Sequence, residues 1–199
     1  MHALMSPANL RRWGALSGLV IVCLAGTLAC ESGDSGAPAS KASNAPSADA
    51  SPPAPSPTKS PAEVAGQQAT EAYVGMWQAM ARAGETSNWQ APELAQYATG
   101  NALTTITRSL YADHFNHVVS RGRPKNNPTV SAVDPPNNPS TVRINDCGDS
   151  TNWLQYKEGT NEPVDNSPGG RRSIVAEVKK QADGSWKVDR FAVEGLGSC

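Results

Sequence analysis

The chain has 199 residues and a formal net charge of −1, from 17 basic and 18 acidic side chains. Nucleic-acid binding needs a clustered basic face, and neither the basic nor the aromatic residues form such a stripe, so nucleic acid is not expected as a partner. Composition divides the chain into an export signal (residues 1–29), a linker (residues 30–60) and one domain of ordinary size (residues 61–199).

The first segment has the pattern of an export signal. Arg11 and Arg12 provide a basic start, and the uncharged apolar run that follows is short for a membrane span. The run ends in residues 27–30, TLAC, which resemble a bacterial lipobox with Cys30 as the lipid acceptor, although Thr stands where Leu or Val is usual. We therefore expect an exported chain, anchored by a lipid on Cys30 to the outer face of the cell membrane. A plain secretory signal and an uncleaved anchor are the alternatives, and the arginine pair leaves Sec and twin-arginine export both open.

The linker, residues 30–60, is rich in Pro, Ser and Ala and has no aromatic or branched aliphatic residue. Such a composition buries too little surface to offset the entropy of ordering, so the linker is predicted to be disordered. It would act as a spacer between an anchored Cys30 and the domain. Its Ser and Thr content would also suit glycosylation.

The domain opens with a predicted helix. Ser60 and Glu63 form a capping box, Pro61 suits the first helical position, and Gly84 marks the end. One face of this helix is apolar, as expected for packing on a core. That stripe consists of Ala69, Ala72, Tyr73, Met76, Met80 and Ala83, with Trp77 beside it.

Two more helices are predicted before the chain changes character. Residues 91–97 form a short one. The third is capped by Thr99 or Asn101 and runs to residues 120–122, since Pro124 prevents continuation. Its apolar stripe comprises Leu103, Ile106, Leu110 and Val118.

The apolar period then becomes two, which is the period of a β-strand. Residues 129–133 are predicted to be a strand, and residues 134–139, DPPNNP, a turn. A strand that contains Val142 and Ile144 follows. Residues 147–149, Cys-Gly-Asp, are predicted to be a sharp turn into the next strand, which begins near Leu154.

The last part of the domain reads as a long hairpin. Residues 171–181 and 185–194 alternate apolar and polar side chains around a turn at residues 182–184. In the final strand the apolar residues change face between Val188 and Phe191, which predicts a β-bulge near Asp189 and Arg190. A bulge bends a sheet. The predicted fold class is therefore α+β, with N-terminal helices packed on a curved antiparallel sheet.

Five short motifs within residues 62–199 carry a resemblance to a known family. They are residues 97–103 (YATGNAL), 122–124 (GRP), 146–153 (DCGDSTNW), 168–172 (PGGRR) and 184–188 (GSWKV). The domain resembles the NTF2-like (SnoaL-like) cone and, more narrowly, is similar to a group of secreted actinobacterial lipoproteins of unassigned function. The resemblance implies a location and a shape. It implies no chemistry, because such cones host isomerases, dehydratases and binding domains alike.

Two cysteines remain in the domain once the signal is removed. An exported chain meets an oxidising environment, so Cys147 and Cys199 are predicted to form a disulfide. A reactive thiol would need a nearby base. Asp146 and Asp149, on either side of Cys147, are interpreted as turn residues that bind backbone amides, with an acid–base pair as the alternative.

The candidate lining of a pocket comes from the helical stripes. It comprises Tyr73, Met76, Trp77, Leu110, His114 and His117. The two histidines would suit a metal at this spacing, but no third ligand is identifiable, so no metal site is assigned. No cofactor motif is present either, since residues 168–172 lack the Lys and Ser or Thr of a phosphate loop.

These features favour a membrane-tethered, extracytoplasmic lipoprotein with a non-catalytic binding or interaction module. Its expected partners are the membrane, through the lipid anchor, and an envelope protein, a cell-wall component or a small apolar ligand. A homodimer is a further expectation. The alternative is a cofactor-free enzyme of the isomerase or dehydratase type with its active site in the cone.

Overall fold

The computed structural model describes residues 58–167 and 169–199. The predicted signal (residues 1–29), the lipid acceptor Cys30 and the linker as far as residue 57 lie outside the described residues.

The first helix, α1, spans Pro61–Gly84. The predicted capping box is confirmed, because the Glu63 amide donates to Ser60 Oγ at 3.2 Å and the Ser60 amide donates to Glu63 Oε2 at 2.6 Å. Tyr73, Met76 and Trp77 are buried on the core side of the helix. The apolar stripe in the sequence thus gives the buried face of α1.

The second helix, α2, spans Leu94–Tyr97, and the third, α3, spans Gly100–Phe115. The prediction that the third helix continues to residues 120–122 is wrong. The helix ends because His117 has a left-handed backbone (φ +55°), which an α-helix does not accept. The next residue, Val118, begins a strand instead.

Six strands form two antiparallel sheets in the described part of the chain. Strands β1 (Val118–Gly122) and β4 (Trp153–Lys157) form a two-stranded sheet. The other four form a sheet in the order β2-β3-β5-β6, with β2 at Thr129–Asp134, β3 at Thr141–Asp149, β5 at Arg171–Lys180 and β6 at Trp186–Val193.

The predicted turn at residues 147–149 is also wrong. Strand β3 continues through these residues because β5 pairs with it in unbroken register, from Thr141↔Lys179 to Asp149↔Arg171. The chain turns later, after Ser150, and the Thr151 amide donates to Asp149 Oδ1 at 2.8 Å. Asp149 therefore binds an amide of the following turn, whereas Asp146 lies within the strand.

The predicted bulge in the last strand is confirmed. Glu177 of β5 pairs with Arg190 of β6, whereas the next residue, Val178, pairs with Val188, so Asp189 is the extra residue. This insertion returns Phe191 to the face that carries Trp186 and Val188, both of which are buried.

The core lies between the helices and one face of the four-stranded sheet. Helix α1 packs against β6 and α2, and α3 packs against β6. Buried Val142, Ile144, Ile174 and Val178 face them from the sheet. The fold class is therefore α+β, with helices followed by antiparallel sheets. Among the described residues, no helix has the length and hydropathy needed to cross a membrane.

Candidate ligand-binding cleft

An open cleft of about 420 Å³ lies between α3, the second half of α1, and strands of both sheets. About half of its lining side chains are apolar and half are polar. The apolar ones are Trp77, Met80, Ile106, Leu110, Pro124, Trp153, Leu154, Ile174, Phe191 and Val193. The polar ones are Thr105, Ser109, Asp113, Ser120, Asn126, Asp149, Ser150, Gln155, Asp165, Ser167 and Arg172.

Helix α3 supplies one wall with two adjacent stripes. Ile106 and Leu110, four residues apart, are fully buried on the core side. Thr105, Ser109 and Asp113 recur at intervals of four residues, next to this buried stripe. All three line the cleft. Side chains at this spacing share one face of a helix. The wall is thus apolar at depth and polar toward solvent.

Three aromatic rings from distant parts of the chain meet at the cleft. The ring centroid of Trp77, on α1, lies 5.5 Å from that of Phe191 and 6.1 Å from that of Trp153, both in edge-to-face geometry. Phe191 reaches this position because the bulge at Asp189 turns it inward, and Trp153 belongs to β4 of the two-stranded sheet. Strands β6 and β4 thus each place one aromatic residue against α1.

Two indole N–H groups are buried beside the cleft. The Nε1 atoms of Trp77 and Trp153 are both enclosed, and neither makes a well-aligned hydrogen bond within the described residues, although Trp77 is close enough to the Tyr73 hydroxyl to lower its pKa. A buried donor without a partner costs about 1–3 kcal/mol, and indole N–H groups in folded proteins usually find one. Because both nitrogens are enclosed, they belong to the packed aromatic wall of the cleft and are not exposed to a ligand in it.

A buried polar cluster lies next to these aromatic rings. The Tyr73 hydroxyl donates to Asp146 Oδ2 at 2.9 Å, the Asn126 amide donates to the same oxygen at 2.7 Å, and the Asn127 backbone amide donates to Oδ1 at 2.7 Å. Burial and the adjacent Asp146 carboxylate raise the pKa of Tyr73 well above its usual value; Trp77 and Asn126 oppose the rise. Tyr73 is therefore a fixed donor to Asp146.

This cluster corrects the interpretation of Asp146 as a turn residue. Asp146 is in the middle of β3, on its inner face with Ile144, and is buried. The pattern of the strand gives it that position, because residues 142, 144, 146 and 148 all point inward. The tyrosine that pairs with it lies 73 residues earlier in the chain.

Asp113 is a carboxyl group of the cleft lining whose pKa is raised by its position. Partial burial raises its pKa above the usual value, and the hydrogen bond from Gln155 Nε2 to Asp113 Oδ1, at 3.0 Å, opposes that rise. Gln155 belongs to β4 and lines the cleft with it. The pair joins α3 to the two-stranded sheet across one end of the cleft.

Arg172 provides the positive charge on the opposite wall. It is half-buried on the inner face of β5, in line with Ile174, Ala176 and Val178, and it forms no ion pair within the described part of the chain. Asp149 and Asp165 also line this side. Hydrogen bonding to Thr151 is the main cause of a lowered pKa of Asp149. The nearby charges of Lys125 and Arg171 lower it further.

The six residues predicted to line a pocket are distributed unevenly. Trp77 and Leu110 line the cleft. Tyr73 and Met76 are fully buried in the core beneath it. His114 and His117 are exposed, because α3 ends at Phe115 and directs them to solvent. His117 Nδ1 lies 3.2 Å from Glu158 Oε2, and its side chain is 82% exposed. Within the described residues, no group of three or more His, Cys, Asp or Glu is placed to hold a metal.

The predicted disulfide between Cys147 and Cys199 is present, with Cα atoms 5.9 Å apart. It ties the end of the chain to the outer face of β3. The terminal segment also bonds to β5, where the Gly197 amide donates to the Arg171 carbonyl and the Ser173 amide to Ser198 Oγ. Arg171 and Arg172 open this strand, so the disulfide braces the wall that carries Arg172.

Several cleft residues escaped the sequence interpretation. Asp113, Asn126, Trp153 and Arg172 were not among the residues predicted to line a pocket. The recurrence of Thr105, Ser109 and Asp113 at intervals of four was a usable signal for one wall. The opposite wall had no such signal, because it depends on strand pairing.

No protein-family model matches this chain, and no curated protein matches it. Among solved structures, the intermembrane space region of the chloroplast protein ARC6 is similar at 13% identity and a TM-score of 0.45, covering 68% of this chain and 98% of that one. A 2.5 Å structure from Catenulispora acidiphila is similar at 17% identity and a TM-score of 0.36, covering 67% of this chain and 91% of that one. We draw nothing about function from likenesses at these scores.

Proposed function

We propose that this chain is an exported, membrane-tethered lipoprotein whose domain is a non-catalytic binding module of the cell envelope. The sequence supports the tether through the basic start, the apolar run, Cys30 and the Pro-rich spacer in residues 1–60. The disulfide between Cys147 and Cys199 is consistent with an oxidising compartment. We further propose that the α+β domain is an NTF2-like cone, in keeping with the bulge at Asp189 that bends its sheet.

The cleft beside Trp77 is the observation that carries the binding role. Its volume of about 420 Å³ is within the range of small-molecule sites, roughly 300–1,000 Å³. Its floor is aromatic and aliphatic, and its rim holds a few charged and amide groups, which is the usual division of labour in ligand sites.

The alternative, a cofactor-free enzyme, is favoured by one observation. Asp113 has a raised pKa at the edge of a partly apolar cleft, and a shifted pKa is a common property of general acids and bases. Its Oδ1 atom, however, accepts a hydrogen bond from Gln155, and Tyr73 and Asp146 bind each other below the cleft floor. These hydrogen bonds occupy the carboxyl groups within the protein and do not present them to a substrate. We therefore favour a binding role over catalysis.

The tether is tested by cell fractionation. Cys30→Ala removes the acceptor for lipid, so the variant is expected to leave the membrane fraction or to accumulate as precursor. A Cys23→Ala variant is the control, since Cys23 precedes the proposed cleavage point. If Cys30→Ala fractionates and migrates like the unaltered chain, the lipoprotein assignment is wrong.

Binding in the cleft is tested by native mass spectrometry of the full chain purified from its own host. We expect a small-molecule adduct that Trp153→Ala or Phe191→Ala removes. Val175→Ala is the matched control, because Val175 is 43% exposed on the opposite face of β5. A chain that carries no adduct, or one that persists in both cleft variants, would count against the cleft as the site.

The same spectra report on protein partners. An envelope protein or a second copy of the chain would appear as a complex of higher mass. Such a complex that survives in Trp153→Ala would favour an interaction surface outside the cleft over a small-ligand site.

A further inference from the structure

We infer that the ligand of this cleft is a neutral, polyhydroxylated molecule, most simply a short uncharged glycan. The inference rests on the proposed binding role and gives its ligand a chemical class. Three properties of the cleft carry it: charges of both signs, hydrogen-bonding groups on both walls, and an aromatic end.

The charges disfavour a charged ligand. Arg172 stands on the wall formed by β5, while Asp113, on α3, and Asp149 and Asp165 supply carboxylates around the same cleft. An anion attracted to Arg172 would also meet these carboxylates. A cation attracted to the carboxylates would meet Arg172, and Lys125 and Arg171 offset the charge of Asp149. Like charges placed together in a partly desolvated site are costly. A neutral ligand avoids both conflicts.

A purely apolar ligand fits poorly for a different reason. Filling the cleft would remove water from Arg172 and Asp113, and a desolvated charge without a partner is strongly unfavourable. Arg172 forms no ion pair in the described residues that would compensate it, and Asp113 accepts only the Gln155 hydrogen bond. The ligand must therefore supply hydrogen-bonding atoms of its own.

Hydroxyl groups satisfy both kinds of protein group at once. Each hydroxyl donates one hydrogen bond and accepts others, so it pairs with a carboxylate such as Asp113 and with a donor such as Arg172. Thr105 and Ser109 on the α3 wall add hydroxyl groups that donate and accept in the same way. Hydroxyl, ring and glycosidic oxygens of a glycan are all acceptors.

The shape of the cleft suits an elongated ligand with an apolar face. Thr105, Ser109 and Asp113 follow one another along α3 over eight residues, which at 1.5 Å per residue is about 12 Å. The C–H face of a sugar ring is apolar and packs on aromatic side chains, and here Trp153 and Phe191 are the half-buried aromatics. Sugar hydroxyls would then point outward to the polar stripe.

The test is an array of neutral and anionic oligosaccharides, probed with the full chain in a sugar-free detergent. We expect binding to at least one neutral oligosaccharide, followed up by calorimetry with that sugar. Trp153→Ala and Arg172→Met should each weaken its binding at least tenfold. Arg143→Met is the matched control, since Arg143 is exposed on the outer face of β3, and it should bind like the unaltered chain. Circular dichroism verifies that each variant is folded.

Other outcomes separate this inference from the proposed binding role. Binding of only anionic sugars, or of Nile red as an apolar probe and no sugar, would overturn the neutral-glycan class and leave the cleft as a binding site. Neutral-sugar binding unchanged in both cleft variants would overturn the placement in this cleft. No binding to any probe, together with no adduct in native mass spectra, would overturn both.

Discussion

The two carboxylate oxygens of Asp146 join three separate parts of the chain. Tyr73 on α1, Asn126 and the Asn127 amide all donate to it, and Asp146 is buried. Hydrogen bonds to a buried charge are stronger than those between neutral groups, and their loss leaves unpaired polar atoms. Asn126 also lines the cleft, so Asp146 positions part of the candidate site.

The first prediction compares the contribution of Asp146 to stability with those of Tyr73 and Asp149. Asp146→Ala should lower the free energy of unfolding by about 3–5 kcal/mol, because it strands three donors, one of them the buried Tyr73 hydroxyl. Tyr73→Phe should cost about 1–2 kcal/mol, since two donors to Asp146 remain. Urea unfolding measures both. Asp149→Ala should cost less than either, since it loses only one accessible hydrogen bond from the Thr151 amide; an equal loss at Asp146 and Asp149 would contradict the assigned roles.

Asp113 gives a prediction that depends on pH. Its raised pKa means that the folded state disfavours the ionised carboxylate, so stability is lost as the pH rises through the folded pKa and is fully present below the unfolded value of about 4. Asp113→Asn should therefore raise Tm at pH 7 by about 1–2 °C, a small effect because solvent screens the group. The difference should vanish near pH 3. A variant that is less stable than the unaltered protein at pH 7 would contradict the direction of the shift.

At the scale of an element, the bulge in β6 decides which residues reach the core. The single extra residue, Asp189, lets Trp186 and Val188 before it and Phe191 after it share one face. If the same residues formed a regular strand with no bulge, the period of two would turn Phe191 to the outer face of the sheet. The count of residues matters here more than the Asp189 side chain.

The third prediction tests that count. Deleting Asp189 should remove the bulge and keep Phe191 on the inner face, because Val188 and Phe191 would then be two residues apart. The deletion should therefore cost much less than Phe191→Ala, which removes the contact with Trp77 and should cost about 3 kcal/mol. Asp189→Ala keeps the bulge and should also cost little, since it removes only a partly exposed pair with Lys179. Chemical unfolding measures all three variants. A deletion as costly as Phe191→Ala would contradict the assigned role of Asp189 as the extra residue.

At the scale of the whole molecule, one covalent bond closes the fold. Cys147 and Cys199 are 52 residues apart in sequence, and the bond between them spans β4, β5 and β6. A cross-link restricts the unfolded chain more than the folded one, and a loop of this length corresponds to about 4 kcal/mol in the chain-entropy treatment.

The fourth prediction follows from that loop. The double variant Cys147→Ser, Cys199→Ser should unfold at lower urea concentration, with a loss of about 4 kcal/mol. Adding reductant should shift the unaltered protein in the same direction and leave the variant unchanged. Non-reducing peptide mapping should show one linked peptide containing both cysteines. Two alkylatable thiols in the native, unreduced domain would contradict the bond.

Features whose signal lies in a few identifiable residues were predictable from sequence. Ser60 and Glu63 form the predicted capping box because the two residues are one helical turn apart. The bulge near Asp189 was visible as a change of apolar phase within one strand. The disulfide followed from a count, since Cys147 and Cys199 are the two cysteines of the domain. In each case the signal and the structure it predicts are the same few residues.

Strand partners and helix ends had no comparable signal. Leu110 and Val118 continue one apolar stripe, yet α3 ends at Phe115 because the chain turns at His117 to start β1. Strand β4 follows β3 in sequence but pairs with β1, over a register from Val118↔Lys157 to Gly122↔Trp153. Alternation of side chains identifies a strand but does not indicate which strand pairs with it.

The sequence by itself therefore determined the α+β class, the capping of α1, the bulge at Asp189 and the two cysteines that join. Only the tertiary structure decided the candidate site. It brings Trp77, Trp153 and Phe191 together from one helix and two sheets, and it pairs Tyr73 with Asp146 across 73 residues. The physical reason is that local patterns record which face of an element is apolar, whereas a site depends on which faces meet, and that is set by packing the whole chain into one core.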